Sequence, residues 1–371
     1  MKKLTILHTE SSCGWGGQEI RILTEARGMV QRGHRVILMA DPKSRIYQLA
    51  ADYLLEPVGL PIEKKRLTGL LSVRRWLARH GADIDVINTH SSTDAWLVAV
   101  ACATLRNMPP VVRSRHVSTA INNAASTRWL YQRATRHIVT TGEKLRQQLH
   151  RENGYPLSGM TSIRTGIDLG RYCPRDKTAE RKALGIADRS TLGIVATLRS
   201  WKGHSQLLEA WAQLRAEFGH WQLLIVGDGP QRANLEAQCR TLGLADSVRF
   251  VGNQDNAERW LACMDLFTLP SYGNEGVPQG IMQAMACGVP VVSTTVGAIN
   301  EAVQDGETGY MIAPQDSAML ATTLGRLMRD DALRQQMAVA SLAWAQQQFG
   351  LDVMLDRMEA VFLDAIRGGR Q

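Results

Sequence analysis

Along the chain, short unbroken apolar runs alternate with stretches in which apolar residues recur every three or four positions. Leu4 to Thr9 reads as a strand, Gly14 to Gly17 as a glycine turn, Ile20 to Gln31 as a helix closed by Gly33, and Arg35 to Ala40 as a second strand. The same order returns later: Thr191 to Leu198 is strand-like, Lys202-Gly203 a turn, Ser205 to Phe218 a helix closed by Gly219, and Gln222 to Val226 the next strand. In that later helix Leu207, Leu208, Trp211, Leu214 and Phe218 recur at helical spacing. Further strands are predicted at Val86 to Thr89, Val111 to Arg113, His137 to Thr140, Val248 to Val251, Leu266 to Leu269 and Val289 to Ser293. Several lack polar alternation, as strands do when helices cover both faces of a parallel sheet. The pattern therefore predicts an α/β chain in which a doubly wound unit begins twice.

A chain of 371 residues exceeds one ordinary core, so two domains are expected. The polar stretch from about Gly166 to Asp188 marks the junction. We place the first Rossmann-like domain at residues 1–168 and the second at 169–350, with a helix in 351–371 packing back toward the first. Two helices, roughly Ser317 to Phe349 with a break and Asp352 to Ile366, finish the chain.

Composition narrows the class. With 44% hydrophobic and 21% charged residues the protein reads as soluble and globular, and no apolar run approaches a membrane span. The opening M-K-K-L-T-I-L-H-T-E has too short an apolar run for a secretory signal. Its six cysteines are scattered without a C-x-x-C pair, which fits reduced thiols in the cytoplasm. The net charge of +8 is uneven: residues 1–185 hold 29 Lys and Arg against 15 Asp and Glu, a balance of +14, and the remainder carries −6. A cluster of Lys64, Lys65, Arg66, Arg74, Arg75 and Arg79 lies among Leu67, Leu70, Leu71, Val73, Trp76 and Leu77. It fits either an interfacial helix on an anionic membrane or a solvated helix face over the core. There is no nucleic-acid module and no stacking platform among these basic residues, so nucleic acid is not expected as a partner.

The densest chemistry lies from Pro270 to Gly288, P-S-Y-G-N-E-G-V-P-Q-G-I-M-Q-A-M-A-C-G. Glu275 follows an apolar run, and Gly276-Val277-Pro278 leads into a helix expected from about Pro278 to Cys287. Helix-start N–H groups attract phosphate, and a neighbouring carboxylate accepts from sugar hydroxyls. Together they suggest a sugar joined to a diphosphate.

With this segment, G-W-G-G-Q-E near the start, R-S-R-H at 113 to 116, T-G-I-D at 165 to 168, L-R-S-W-K-G-H at 198 to 204, G-D-G-P at 227 to 230, and M-A-C-G-V-P-V-V followed by V-G-A-I-N-E and D-G-E-T-G-Y occur in one order. In that order the chain resembles the retaining glycosyltransferases of family four, through nearly its whole length and most strongly from Gly193 to Pro314. The resemblance implies a GT-B fold, two Rossmann-like domains facing a central cleft. It implies that Lys202 grips the donor diphosphate and stabilises charge left there when the sugar bond breaks, and Arg199 is expected to assist. The partner arginine usual five positions before the lysine is Thr197 here. Of two acids usual eight positions apart, Glu275 matches the first, toward the sugar hydroxyls, while Gln283 replaces the second, toward the ribose.

By the same resemblance, Gly276, Val277 and Pro278 belong to the donor site, and Gly16 and Gly17 touch donor phosphate or acceptor. His116 lies beside the transferred sugar, and His90 and Glu301 occupy family-like positions, Glu301 orienting donor groups. The catalytic set is thus Glu275, Lys202, His116 and Arg199. Asp83-Ile84-Asp85 only superficially matches a metal-binding D-x-D, and no essential metal or cofactor is expected.

The expected activity is transfer of a sugar, with retention, from a nucleotide diphosphate to a hydroxyl of a glycan or lipid-linked acceptor. Surface polysaccharide or lipopolysaccharide assembly at the inner membrane face is the favoured setting, with acceptor contacts near Ser91 to Asp94 and Ser118 to Thr127. A nucleotide-sugar epimerase or hydrolase, and a noncatalytic sugar-nucleotide sensor, are the alternatives.

Overall fold

The computed structural model describes residues 2–117, 119–273 and 275–368, and it divides into two compact units. One comprises Met1–Gly166 with Leu351–Gln371, the other Ile167–Gly350, so the division falls slightly before the 168/169 boundary expected from the sequence. Each unit is built on one wholly parallel sheet.

In the first unit the strands are β1 (Thr5–Glu10), β2 (Arg35–Ala40), β3 (Glu56–Gly59), β4 (Val86–Thr89), β5 (Val111–Arg115), β6 (His137–Thr140) and β7 (Met160–Ser162), in spatial order 3-2-1-4-5-6-7. Strand order reverses between β1 and β4, which pair in parallel with His8 opposite Asn88. The helix Gly17–Gln31 begins three residues earlier than its apolar pattern indicates, because Gly17 enters the first turn after the extended Gly16. Its buried face, Ile22, Leu23, Ala26 and Met29, packs in one core cluster with Met354, Leu355, Met358 and Phe362 of the terminal helix Leu351–Gly368. Arg32 secures that helix through Asp356 at 2.6 Å and Asp352 at 3.1 Å.

The second unit contains β8 (Ser190–Val195), β9 (Trp221–Val226), β10 (Val248–Gly252), β11 (Leu266–Leu269), β12 (Val291–Thr294) and β13 (Gly309–Ile312), in order 10-9-8-11-12-13. Here the reversal lies between β8 and β11. The helix His204–Leu214 turns Leu207, Leu208, Trp211 and Leu214 into the core, as their spacing requires. Residues 167 to 188 fold into this unit: Arg181 is buried, its guanidinium bonded to the Cys263 carbonyl and, at 2.6 Å, to Asp265.

Candidate active site

Open parallel sheets leave a crevice beyond the carboxyl ends of the strands where their order reverses. In the second unit Lys202 follows β8 and Glu275 follows β11, so both stand at that point. Lys202 Nζ lies 2.7 Å from Glu275 Oε1, with side-chain exposures of 20% and 11%. The fully buried Ser271 donates its hydroxyl to the same oxygen at 2.8 Å. The motifs therefore join a cation and an anion into one pair.

Backbone contacts hold the pair in place. Tyr272 N–H donates to the Trp201 carbonyl at 2.8 Å, and Ala298 N–H to the Glu275 carbonyl at 2.9 Å. Two glycines make these approaches possible. Gly203, at φ +78°, lies where a Cβ would be 2.0 Å from the Pro270 carbonyl oxygen, and Gly297, at φ +59°, where one would be 2.0 Å from that of Glu275. Any side chain at either position would collide with backbone and need a disfavoured conformation.

The helix after Glu275 runs Gln279–Ala286, with Pro278 as its extended N-cap instead of its first residue. Pro278 provides no side-chain cap, so first-turn N–H groups such as those of Gly280 and Ile281 have no acceptor within the helix. Gln283 is half-buried one turn on, Gly276 is exposed, Val277 is half-buried, and Glu301 ends the short turn Ile299–Glu301 that follows Gly297. Arg199 does not join the Lys202 pair; it is exposed and stands over the Trp201 ring at 5.1 Å.

The first unit gathers its chemistry at its own reversal. Gly16 and Gly17 open the helix after β1, and His116 follows β5 directly. His116 Nε2 lies 2.9 Å from His90 Nδ1, and His90 Nε2 lies 2.9 Å from His8 Nδ1. Burial holds the His116 imidazole well below its usual range, and Arg21 and Arg113 add to that effect. At the end of β1, Glu10 accepts from Ser91 Oγ at 2.5 Å and from Gln18 Nε2 at 2.5 Å. Burial, then repulsion from Asp94, pushes the Glu10 carboxyl up to about 8. Asp94 in turn caps the helix Ser92–Ala103 and accepts from Thr9 Oγ1 at 2.8 Å and Ser11 Oγ at 3.1 Å. Of the expected acceptor segments, Ser91 to Asp94 is this capping box, while Ser118 lies outside the described residues.

Sequence reasoning passed over Ser271, Glu10, Gln18 and His8. Ser271 and Gln18 each lay inside a quoted motif, Ser271 four residues before the acid and Gln18 just after the glycine pair, while Glu10 and His8 carry no local signature. Asp85, part of the D-x-D, accepts from the Thr5 N–H at 2.9 Å and from Lys2 at 3.0 Å, so it ties the start of β4 to that of the neighbouring β1.

Two family models match the chain, glycosyltransferase family 4 over residues 15–171 and glycosyl transferases group 1 over residues 189–330. It is 31% identical over 271 residues to the lipopolysaccharide core biosynthesis mannosyltransferase LpsB of Rhizobium meliloti, covering 69% of this chain and 74% of that one. It is equally 31% identical over 305 residues to the glycogen synthase of Mycobacterium tuberculosis, covering 77% and 70%. The crystal structure of Anabaena HepE in complex with UDP has the same fold, with a TM-score of 0.84 at 21% identity over 98% of this chain and 100% of that one. The protein is thus a glycosyltransferase with a GT-B fold. It belongs to glycosyltransferase family 4.

Proposed function

We propose that the chain is a retaining glycosyltransferase whose second unit holds a nucleoside diphosphate sugar and whose first unit contributes His116 and the acceptor-side groups. The observation that carries this reading is the Lys202–Glu275 pair at 2.7 Å, set beside an uncapped helix start at the β8/β11 reversal. Lys202 and the first-turn amides supply positive potential for the diphosphate, and Arg199 adds an exposed guanidinium nearby. Glu275, held by Ser271, accepts from sugar hydroxyls. Gly16 and Gly17 let backbone approach phosphate or acceptor, Gln283 takes the ribose, and Glu301 orients donor groups.

The reading assigns no enzymic nucleophile, no resident metal and no cofactor. Retention follows from front-face displacement, in which the leaving phosphate takes the proton of the incoming hydroxyl. A carboxylate nucleophile is the usual route to retention in hydrolases, but Glu275 is already engaged by Lys202 and Ser271.

A surface-glycan or lipopolysaccharide acceptor, reached at the inner membrane face, is supported by the likeness to LpsB and by the basic first half. On the helix Leu67–His80, Val73 and Leu77 face the core, while Leu67 and Leu71 stay 69% and 40% exposed in company with Lys64, Lys65, Arg66 and Arg75. The buried face lies over the core, and the exposed leucines among these cations support a contact with an anionic surface. Among the described residues no helix is long and apolar enough to cross a membrane.

A panel of nucleoside diphosphate sugars tests the reading by thermal unfolding, since ligand bound to the native state raises its stability. A stabilising donor whose sugar appears on an acceptor with unchanged anomeric configuration is the expected result. Inversion would refute retention, rapid donor conversion without acceptor would indicate an epimerase or hydrolase, and tight binding without turnover would indicate a sensor.

A further inference from the structure

Three imidazoles stand in line across the first unit. His8 lies on β1, His90 directly after β4 and His116 directly after β5, on neighbouring strands of the sheet. Both nitrogen-to-nitrogen separations are 2.9 Å, from His8 Nδ1 to His90 Nε2 and from His90 Nδ1 to His116 Nε2. The first two rings stack at 10° and the second two tilt by 30°. His8 is fully buried and His90 is 4% exposed. Burial pushes His8 down to about 3, and burial with neighbouring imidazoles and Arg21 holds His90 well below its usual range. All three are therefore neutral at physiological pH.

A neutral imidazole has one N–H and one lone pair. Each of the two contacts needs one of each, so only two proton arrangements satisfy both. In the outward arrangement His8 donates to His90, His90 donates to His116, and His116 carries its proton on Nδ1. In the inward arrangement every proton lies on Nε2. The ends decide between them. His8 Nε2 is sealed in the interior with no hydrogen-bond partner, and its ring neighbour Phe362, edge-on at 6.4 Å, offers only a weak π contact. A buried N–H without an acceptor is rarer in proteins than a buried acceptor left bare. The outward arrangement avoids that orphaned donor.

We propose that His8 and His90 are positioning residues that lock His116 as its Nδ1–H tautomer and so present an uncharged hydrogen-bond donor to a ligand oxygen. Resting on the reading of His116 as a sugar-facing group, the inference makes that oxygen a hydroxyl or ring oxygen of the transferred sugar. An uncharged donor fits this place, because positive charge develops at the anomeric carbon of a breaking glycosidic bond and an imidazolium would oppose it.

Long-range proton–nitrogen correlation spectra of histidine-labelled protein near pH 7.5, without donor, test this directly. His116 is assigned by the signals lost in His116→Asn. The expected spectrum has His116 Nδ1 protonated and Nε2 bare, and His90 Nδ1 protonated as well. A His116 protonated on Nε2, or an averaged pair of tautomers, would overturn the proposal. His90→Phe keeps a ring in the stack and removes both nitrogens; the protonated Nδ1 signal of His116 should then be lost in favour of mixed tautomers. Its survival in a folded His90→Phe protein would equally overturn the positioning role. If that variant does not fold, the wild-type spectrum alone decides. Because no donor is present, a wrong tautomer leaves the donor reading standing, and a wrong donor leaves the tautomer standing.

Discussion

Replacing Lys202 by methionine separates what the Lys202–Glu275 pair does for stability from what it does for turnover. The substitution keeps most of the side-chain length and removes the ammonium that lies 2.7 Å from Glu275 Oε1. A hydrogen bond to a charged group contributes ~1.5–3 kcal/mol. With the lysine side chain 20% exposed, the lower part of that range applies, and Glu275 keeps the Ser271 hydroxyl at 2.8 Å. A loss of about 1.5–2 kcal/mol corresponds to roughly 3–8 °C in the unfolding of a domain of this size. Turnover should suffer more, since removing one preorganised donor from a developing negative charge costs ~3 kcal/mol, on the order of a hundredfold in rate. Adding Glu275→Gln to Lys202→Met removes the orphaned carboxylate while keeping an acceptor oxygen. The double variant should regain stability and no activity. Scanning calorimetry and nucleoside diphosphate release read the two quantities separately. Turnover within about threefold of wild type in folded Lys202→Met, a difference of only ~0.7 kcal/mol, would refute the reasoning, as would recovery of activity together with stability.

Gly297→Ala should lower stability by several kcal/mol and abolish donor binding, because its Cβ would fall 2.0 Å from the Glu275 carbonyl oxygen at a φ of +59°; thermal unfolding and donor titration check both effects. Glu10 gives a pH signature. Its folded-state carboxyl, pushed up to about 8 by burial and Asp94, binds a proton more tightly than in the unfolded chain, so its contribution to stability is present below about pH 4.5 and is lost as pH rises toward 8. Melting temperatures of Glu10→Gln minus wild type should therefore climb between pH 5 and 8.5, and a flat difference would show that the carboxyl is ordinary. Vesicles rich in anionic lipid should bind the protein at low salt and release it as salt rises. Leu67→Ser with Arg75→Glu should weaken that binding in a sedimentation assay without altering donor affinity.

Much of the second unit was legible because its signals are local. The run into β8, the lysine-glycine turn and the face Leu207, Leu208, Trp211 and Leu214 lie within one short stretch, and Glu275 lies in the loop after its strand. The strands left unread, β3, β7 and β13, all lie on sheet edges. Glu56–Gly59 is mostly exposed and contains a proline, so neither an apolar run nor alternation marks it. The start of the helix Gly17–Gln31 was hidden because a glycine pair reads as a turn whether or not it becomes helical. In the first unit the site resisted reading for another reason: His8, His90 and His116, or Glu10, Ser91 and Asp94, meet only because β4 pairs with β1 on one side and β5 on the other. Such polar clusters have no spacing in sequence. Even Lys202 and Glu275, each recognised on its own, gave no sign that they would bond to one another.

The most direct test of the central claim is a crystal structure with an intact nucleoside diphosphate sugar bound. The account predicts diphosphate oxygens within hydrogen-bond distance of Lys202 Nζ and the amides of Gly280 or Ile281, with sugar hydroxyls on Glu275. A nucleotide anchored away from both Lys202 and Glu275 would contradict it.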